Sequence, residues 1–261
     1  GIENAKGDYI VRIDAHSEYS KNYISKCVEY LDKNPEMWNV GGPMRAVGTN
    51  YLGKAIAFLH HSPFGLGGGK FHDVEYEGYV DTVYLGAFRK EVFNKIGLYN
   101  ENLIRNQDIE LNSRIQKAGG KIYLTPEIKS YYYNRDSIFG LIIQNFRNGL
   151  WNIKTKNINS DALSIRHFIP LFFVLSLLAG LLLSVIEPTR LFGNFIFGAS
   201  FGSYLLVSLY FSSKVIKEEG FKYFWVMPFL FFVLHFSYGT GSLVGLFKVL
   251  FSKNWKVYFN G

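Results

Sequence analysis

Over the first 135 residues, apolar positions come in short runs whose spacing switches between two and about 3.6. Beyond Phe168 this alternation gives way to three long uncharged stretches. Period-two or continuous β-forming runs predict strands over Tyr9–Ile13, Trp38–Val40, Val80–Leu85 and Lys121–Thr125. Helical spacing predicts helices over Lys21–Lys33, Lys90–Ile96 and Asp108–Ala118. In the first of these, Ile24, Cys27, Val28 and Leu31 share one face after Ser20 as N-cap, and the last is closed by Gly119-Gly120. Strands alternating with helices imply an α/β domain. No internal repeat or low-complexity tract interrupts it.

The uncharged stretches are Phe168–Ile186 (19 residues), Leu191–Ser213 (23) and Tyr223–Phe247 (25), the last with His235 as its only titratable side chain. At about 1.5 Å per residue each can cross roughly 30 Å of hydrocarbon, and Pro188 marks a tight turn between the first two. Arg147, Lys154, Lys156 and Arg166 before the first span, and Lys214, Lys217 and Lys222 between the second and third, place both segments on the cytoplasmic side. Lys248, Lys253 and Lys256 pull the tail to the same side, which an odd number of crossings forbids; three spans remain the expectation. Just upstream, Ile138, Leu141, Ile142, Phe146, Leu150 and Ile153 form a helical stripe beside Arg147, Trp151, Lys154 and Lys156. This predicts an amphipathic helix lying on the membrane surface.

Charge counts sharpen the division. Lys, Arg, Asp and Glu total 49, and only ten of them follow residue 167, so a soluble composition precedes a membrane composition. A single cysteine, Cys27, excludes an intrachain disulfide and reads as a packing residue. The chain opens on Gly-Ile-Glu-Asn a few residues before a buried strand, and the expectation is that an N-terminal portion precedes it.

Two acidic constellations carry candidate chemistry. In "YIVRIDAHSEY" a strand ends at Asp14-Ala15-His16, and residues two apart on a strand point to one side, so a carboxylate and an imidazole converge as a divalent metal requires. In "RNQDIELNSRIQKAGG" Asp108 opens a helix, with Glu110 and Arg114 following; either acid could instead serve a turn or a helix dipole. "GLGGGK" lacks the Gly-x-x-x-x-Gly-Lys-Ser/Thr frame of a phosphate loop and reads as a mobile loop over a cleft. His60, His61, His72, Asp73, Glu75, Glu77 and Asp81 match no closed metal site.

"GDYIVRIDAHSEYSKNYI", "VGGPMRAVG", "DTVYLGAFRKEVFNKIGLYNENLIRNQDIELNSRIQKAGGKIYLTPEI" and "QNFRNGLW", in that order, resemble family 2 glycosyltransferases of the GT-A fold. The likeness is to the membrane-attached group that makes bacterial exopolysaccharides of the succinoglycan type. It implies a fold of GT-A α/β type (Rossmann-like, the C-terminal half of a nucleotide-sugar transferase), then the interfacial helix and three transmembrane helices. The expected division is a catalytic segment at 1–136, an interfacial helix and linker at 137–167, and a membrane region at 168–261. Asp14 and His16 match the Asp-x-Asp or Asp-x-His position that holds Mn²⁺ or Mg²⁺ against a diphosphate, His16 leaning the site towards Mn²⁺. Asp108, preceded by Gln107, matches the catalytic base. Glu110 and Arg114 would support it. Gln144 and Arg147 match the first and fourth positions of a Gln-x-x-Arg-Trp motif and would contact a diphosphate. Trp151 lies four residues past Arg147 rather than next to it, a departure that puts its acceptor-lining role in doubt and argues against a processive synthase.

The implied activity is inverting, metal-dependent transfer from a nucleotide sugar, a UDP-sugar by the resemblance, to a polyprenyl-diphosphate-linked saccharide at the cytoplasmic face of the inner membrane. Alternatives are a lipid or polyprenyl-phosphate acceptor, or a non-catalytic scaffold with a degenerate transferase domain. Membrane lipid is a partner, nucleic acid is not, and spans almost free of charge argue against a transporter.

Overall fold

A computed structural model describes residues 1–66 and 68–252; Lys253 and Lys256, which bear on the orientation of the tail, lie outside the described residues. In chain order the elements begin β1 (Tyr9–Val11), β2 (Ser17–Tyr19), α1 (Tyr23–Lys33), β3 (Met37–Gly42), β4 (Met44–Val47), α2 (Tyr51–His61) and α3 (Pro63–Leu66). They continue β5 (Gly78–Tyr79), β6 (Tyr84–Arg89), α4 (Lys90–Ile96), α5 (Gln107–Lys117), β7 (Lys121–Leu124) and β8 (Ser130–Tyr133). Four long helices follow: α6 (Ile138–Ile158), α7 (Ile169–Val185), α8 (Arg190–Glu219) and α9 (Val226–Phe251). These elements fall into two compact units, one built from residues 1–47, 68–134 and 158–163, the other from 48–66, 135–157 and 164–252.

The first unit is the α/β domain. Its larger sheet runs β1-β6-β3-β7-β5, with β3 and β7 parallel and every other pair antiparallel. Period-two alternation sends neighbouring residues of β6 to opposite cores. Ala87 joins Tyr23, Cys27 and Leu31 of α1 on one face, while Phe88 joins Val92 and Phe93 of α4 and Leu111 and Ile115 of α5 on the other. Each fully buried leucine among these contributes about 1.5–3 kcal/mol of transfer free energy. A smaller sheet, β2-β8-β4, pairs β4 and β8 in parallel.

The strand expected at Val80–Leu85 is displaced. The chain pairs first at β5 and then at β6, with Val80 and Val83 buried in the connection between them. The cause is local: Leu85 and Gly86 both have left-handed φ, 67° and 82°, and the register with β3 breaks between Val40 and Gly42. Two such residues make a bulge that an apolar run does not announce. The strands of the smaller sheet are three or four residues long, and the apolar pattern predicts none of them.

The second unit is helical. Three of its helical segments, Ile165–Val185, Glu187–Lys217 and Val226–Phe251, are long and apolar enough to cross a membrane. Residues 48–66, which lie inside the expected catalytic segment, belong here. Ala55, Ile56 and Leu59 of α2 pack with Leu141, Val215, Tyr223, Met227, Leu230, Phe231 and Leu234. The stripe expected on α6 is only partly a surface stripe. Ile138, Phe139 and Ile142 are exposed, but every residue from Gly149 to Thr155 is buried. Small residues explain this, because backbones approach where side chains are absent. A Cβ on Gly149 would strike the Tyr238 carbonyl, and one on Gly241 the Phe146 carbonyl. The Asn152 amide also donates to the Tyr238 hydroxyl.

Candidate active site

Asp14 and His16 do come together, but not by strand alternation. β1 ends at Val11, and both residues sit in the turn leading to β2. The Asp14 carboxylate accepts the His16 backbone N–H at 3.0 Å, and its Oδ1 lies 3.1 Å from His16 Nδ1. The Asp14 carbonyl accepts from Ser17 N–H at 3.2 Å, which closes the turn. Tyr19 clamps the same residue from behind, its hydroxyl accepting from Asp14 N–H at 2.6 Å and donating to Asp14 O at 3.1 Å. Asx turns of this kind juxtapose side chains two apart without any strand. The His16 amide bond, above all, holds the Asp14 carboxyl below its ordinary range, with Arg12 adding to the effect.

An oxygen and a nitrogen donor side by side, with side chains 41% and 78% exposed, leave a divalent cation room to bind, and the imidazole leans the pair towards a transition metal such as Mn²⁺. Among the described residues no group of three or more His, Cys, Asp and Glu side chains encloses a metal. A cation here would therefore complete its shell with water or substrate oxygens, as an open site for Mg²⁺ or Mn²⁺ does.

Asp108 stands in the first turn of α5, half-buried, its Oδ1 3.0 Å from the Ile109 amide. The helix starts abruptly because Asn106 takes a left-handed φ of 61° and the Gln107 side-chain amide donates back to Leu103 O. Four residues after Asp108, Asn112 is pinned to the sheet: it donates to Thr82 Oγ1 at 2.8 Å and accepts from Asn39 at 2.8 Å. This buried amide chain fixes the rotation of α5 and hence the direction of Asp108.

Glu110 and Arg114 form a structural pair rather than an open site. The Glu110 carboxylate receives the Arg114 Nε and Nη2 at 2.9 Å each, and Asn159 Nδ2 at 3.4 Å. The guanidinium also donates to Ile96 O, to Gly97 O at 3.3 Å and to Leu98 O at 2.8 Å, so the pair ties α5 to the end of α4.

Two residues between these features escaped the sequence reading. Arg12 N–H extends the β1–β6 ladder by bonding Gly86 O at 3.1 Å, and its guanidinium lies 5.6 Å over the Tyr99 ring. Its Nη1 is buried with no hydrogen-bond partner. Burial raises the Tyr99 hydroxyl's pKa, Arg12 opposes that, and the Asp108 charge adds to it. Arg12 thus stands two residues from Asp14 and against a tyrosine that senses Asp108. A lone arginine inside the apolar run Ile10-Val11-Arg12-Ile13 was the available signal. Tyr84 also lines the turn, its hydroxyl 2.7 Å from Ser17 Oγ and its ring 5.9 Å from Tyr132.

The other expected residues fall in the second unit. Arg147 is exposed and Gln144 half-buried on α6. Trp151 is buried, with Lys154 Nζ 4.3 Å over its ring, so it is a packing residue and not an aromatic presented at an interface. In "GLGGGK", Gly65 and Leu66 end α3 and Lys70 opens a short 3₁₀ turn, where its ammonium donates to the Tyr76 hydroxyl at 2.9 Å.

The chain combines a mixed-sheet α/β domain with three helices long and apolar enough to cross a membrane. Residues 1–97 match the family model described as Glycosyl transferase family 2. The match includes Asp14 and His16 and ends before Asp108. The chain is similar to the succinoglycan biosynthesis protein ExoA of Rhizobium meliloti (strain 1021), 31% identical over 184 residues, covering 70% of this chain and 55% of that protein. It is also similar to a dolichyl N-acetyl-alpha-D-glucosaminyl phosphate 3-beta-D-2,3-diacetamido-2,3-dideoxy-beta-D-glucuronosyltransferase of Methanococcus voltae. Identity there is 26% over 253 residues, covering 95% of this chain and 74% of that protein. The chain thus spans about half the length of the first relative.

Proposed function

We propose that the protein transfers a sugar, with inversion, from a nucleotide-sugar donor to a lipid-linked saccharide at the cytoplasmic face of a membrane. The observation that carries the reading is the exposed Asp14–His16 pair, which lies inside the segment that matches the glycosyltransferase family 2 model. Asp14 and His16 would hold Mn²⁺ or Mg²⁺. A divalent cation there supplies neutralisation of the charge that builds on a departing diphosphate. Arg12, whose charge already acts on Asp14, would add a positive charge beside the diphosphate. Asp108 would take the proton of the acceptor hydroxyl. Glu110 and Arg114 would hold the loop that delivers Asp108. The lysines and arginines flanking the helices support the cytoplasmic side.

The name of the second relative includes a dolichyl glycosyl phosphate, which carries a single phosphate, whereas the name of the first specifies no acceptor. The diphosphate-linked acceptor is the leading reading, and the monophosphate-linked one the second. Transfer from radiolabelled UDP-hexoses to each class of acceptor, with Mn²⁺ and full-length protein in membranes, separates them. Asp108→Asn should abolish transfer and leave Mn²⁺-dependent nucleotide binding intact; full turnover in that variant would refute the base assignment. A scaffold would show no Mn²⁺-dependent nucleotide binding in any variant.

A further inference from the structure

Residues 48–66 leave one strand of the α/β unit and return towards another, yet the buried apolar side chains of α2 pack with residues of the helical unit. α2 starts at the turn between α8 and α9. The Tyr51 hydroxyl donates to Lys222 O at 2.6 Å, and its ring stacks on Tyr223 at 4.9 Å. Asn50 caps the helix by accepting Gly53 N–H at 2.7 Å. From there Ala55, Ile56 and Leu59 run alongside Met227, Leu230, Phe231 and Leu234 of α9.

The far end of the segment is fixed by Phe64. Its ring stacks on Phe211 at 5.4 Å and meets Tyr204 at 5.4 Å, Phe231 at 5.0 Å and His235 at 4.9 Å. Along α9 the path from Tyr223 to His235 is about 18 Å, and Tyr204 lies about 15 Å along α8 from Lys214. Lys214, Lys217 and Lys222, with the exposed rings of Phe221 and Trp225, form the cation and aromatic belt that marks a membrane–water boundary. Phe64 is therefore separated from that belt along α8 and α9, and lies level with Phe173, which is four residues past the start of α7 and stacks on Tyr204 at 4.3 Å.

Sequence and backbone agree with an apolar medium. Lys54 is the last Lys, Arg, Asp or Glu before Leu66, and it sits in the first turn of α2. In hydrocarbon the backbone of a turn must satisfy itself. Here Ser62 N–H bonds Phe58 O at 2.8 Å, and Gly65 and Leu66 N–H both reach Ser62 O, at 2.9 and 3.4 Å. Gly65 folds α3 so tightly onto α2 that a Cβ would strike the Leu59 carbonyl.

We infer that residues 51–66 form a re-entrant hairpin that enters the bilayer beside α8 and α9 and turns back within the hydrocarbon, its outer face against lipid acyl chains. It is a fourth membrane-embedded element, too short for any span criterion. The inference rests on the reading of α7, α8 and α9 as spans.

The test is depth, read by power-saturation EPR on full-length protein in liposomes. Spin labels go on single cysteines in a Cys27→Ala background: Lys54→Cys and Pro63→Cys on the hairpin, Leu206→Cys and Phe236→Cys on exposed mid-span positions. The label at 63 should lose contact with aqueous nickel chelate and gain contact with oxygen, as those at 206 and 236 do, while the label at 54 stays in contact with the chelate. Deep labels at 206 and 236 with a chelate-accessible label at 63 overturn the hairpin alone; chelate access at all of them overturns the span reading and the hairpin together. Unmodified protein gives a second measurement, since a membrane-soluble carbene reagent should label the peptide containing residues 55–66. Its failure to do so, with α8 labelled, counts against the hairpin even if the cysteine variants misfold.

Discussion

Removing the carboxylate of Glu110 isolates what holds the candidate base in place. Glu110 is 4% exposed and receives two nitrogens of Arg114, whose side chain is 24% exposed. Taking one partner from a buried pair costs about 3–5 kcal/mol, because a charge is left uncompensated. Arg114 keeps three carbonyl acceptors at the end of α4 and some access to water, so Glu110→Ala should fall lower, at about 2–3 kcal/mol. A protein with two units does not unfold in one step, so the loss is best read locally. Amide hydrogen exchange in α5 should accelerate roughly 30- to 150-fold, at tenfold per 1.4 kcal/mol. The double variant Glu110→Leu, Arg114→Met removes both charges and should recover at least half of that protection. Exchange within about threefold of wild type in Glu110→Ala, or a double variant as unprotected as the single one, would show that the pair does not anchor the start of α5.

Further outcomes follow from single residues. Arg12→Met should leave the α/β unit as stable or about 1 kcal/mol more stable, since a buried unpaired donor is removed. The same variant should weaken pyrophosphate binding in Mn²⁺, measured by calorimetry. Gly42→Ala would place a Cβ on the Ile128 carbonyl, backbone against backbone, and should cost about 3 kcal/mol or more, read as loss of folded protein at size exclusion. Burial pushes the Cys27 thiol up to about 12, so a thiol reagent at pH 8 should react only after denaturation. Between the unfolded value near about 8.5 and that raised one, only the unfolded chain releases the proton, so the stability contributed by Cys27 falls as pH rises through that window. Gly149→Leu should separate α6 from α9 and lower the thermal midpoint of the helical unit, followed by intrinsic fluorescence.

What could be read in the sequence was whatever a one-dimensional pattern encodes. Lys90–Ile96 was placed to the residue, the helix of Asp108 within one residue of its start and its end, and the spans within a few residues. The strand around Leu85 was misplaced because two consecutive left-handed residues reset the register, and only Gly86 hints at it. Asp14 and His16 were paired correctly for the wrong reason: an Asx turn mimics the two-residue period of a strand. Arg12 and Tyr99 lie 87 positions apart and meet only through the β1–β6 ladder and the loop after α4, a contact that no local spacing encodes. α2 was missed for a related reason. In "YLGKAIAFLHH" buried residues lie on most sides, so neither helical amphipathicity nor span length singles the segment out.

The chain passes between its two units five times, after residues 47, 67, 134, 157 and 163. A domain tethered once can be cut free, swapped onto another anchor, or expressed alone. Here, truncation ahead of the first span would strip α2 of its neighbours and present Ala55, Ile56 and Leu59 to water. Such a fragment should aggregate however well its sheets form. The same interleaving limits how this protein could have been assembled by recombination. Exchanging the long helices for another set would require changing the sequence between β4 and β5 as well.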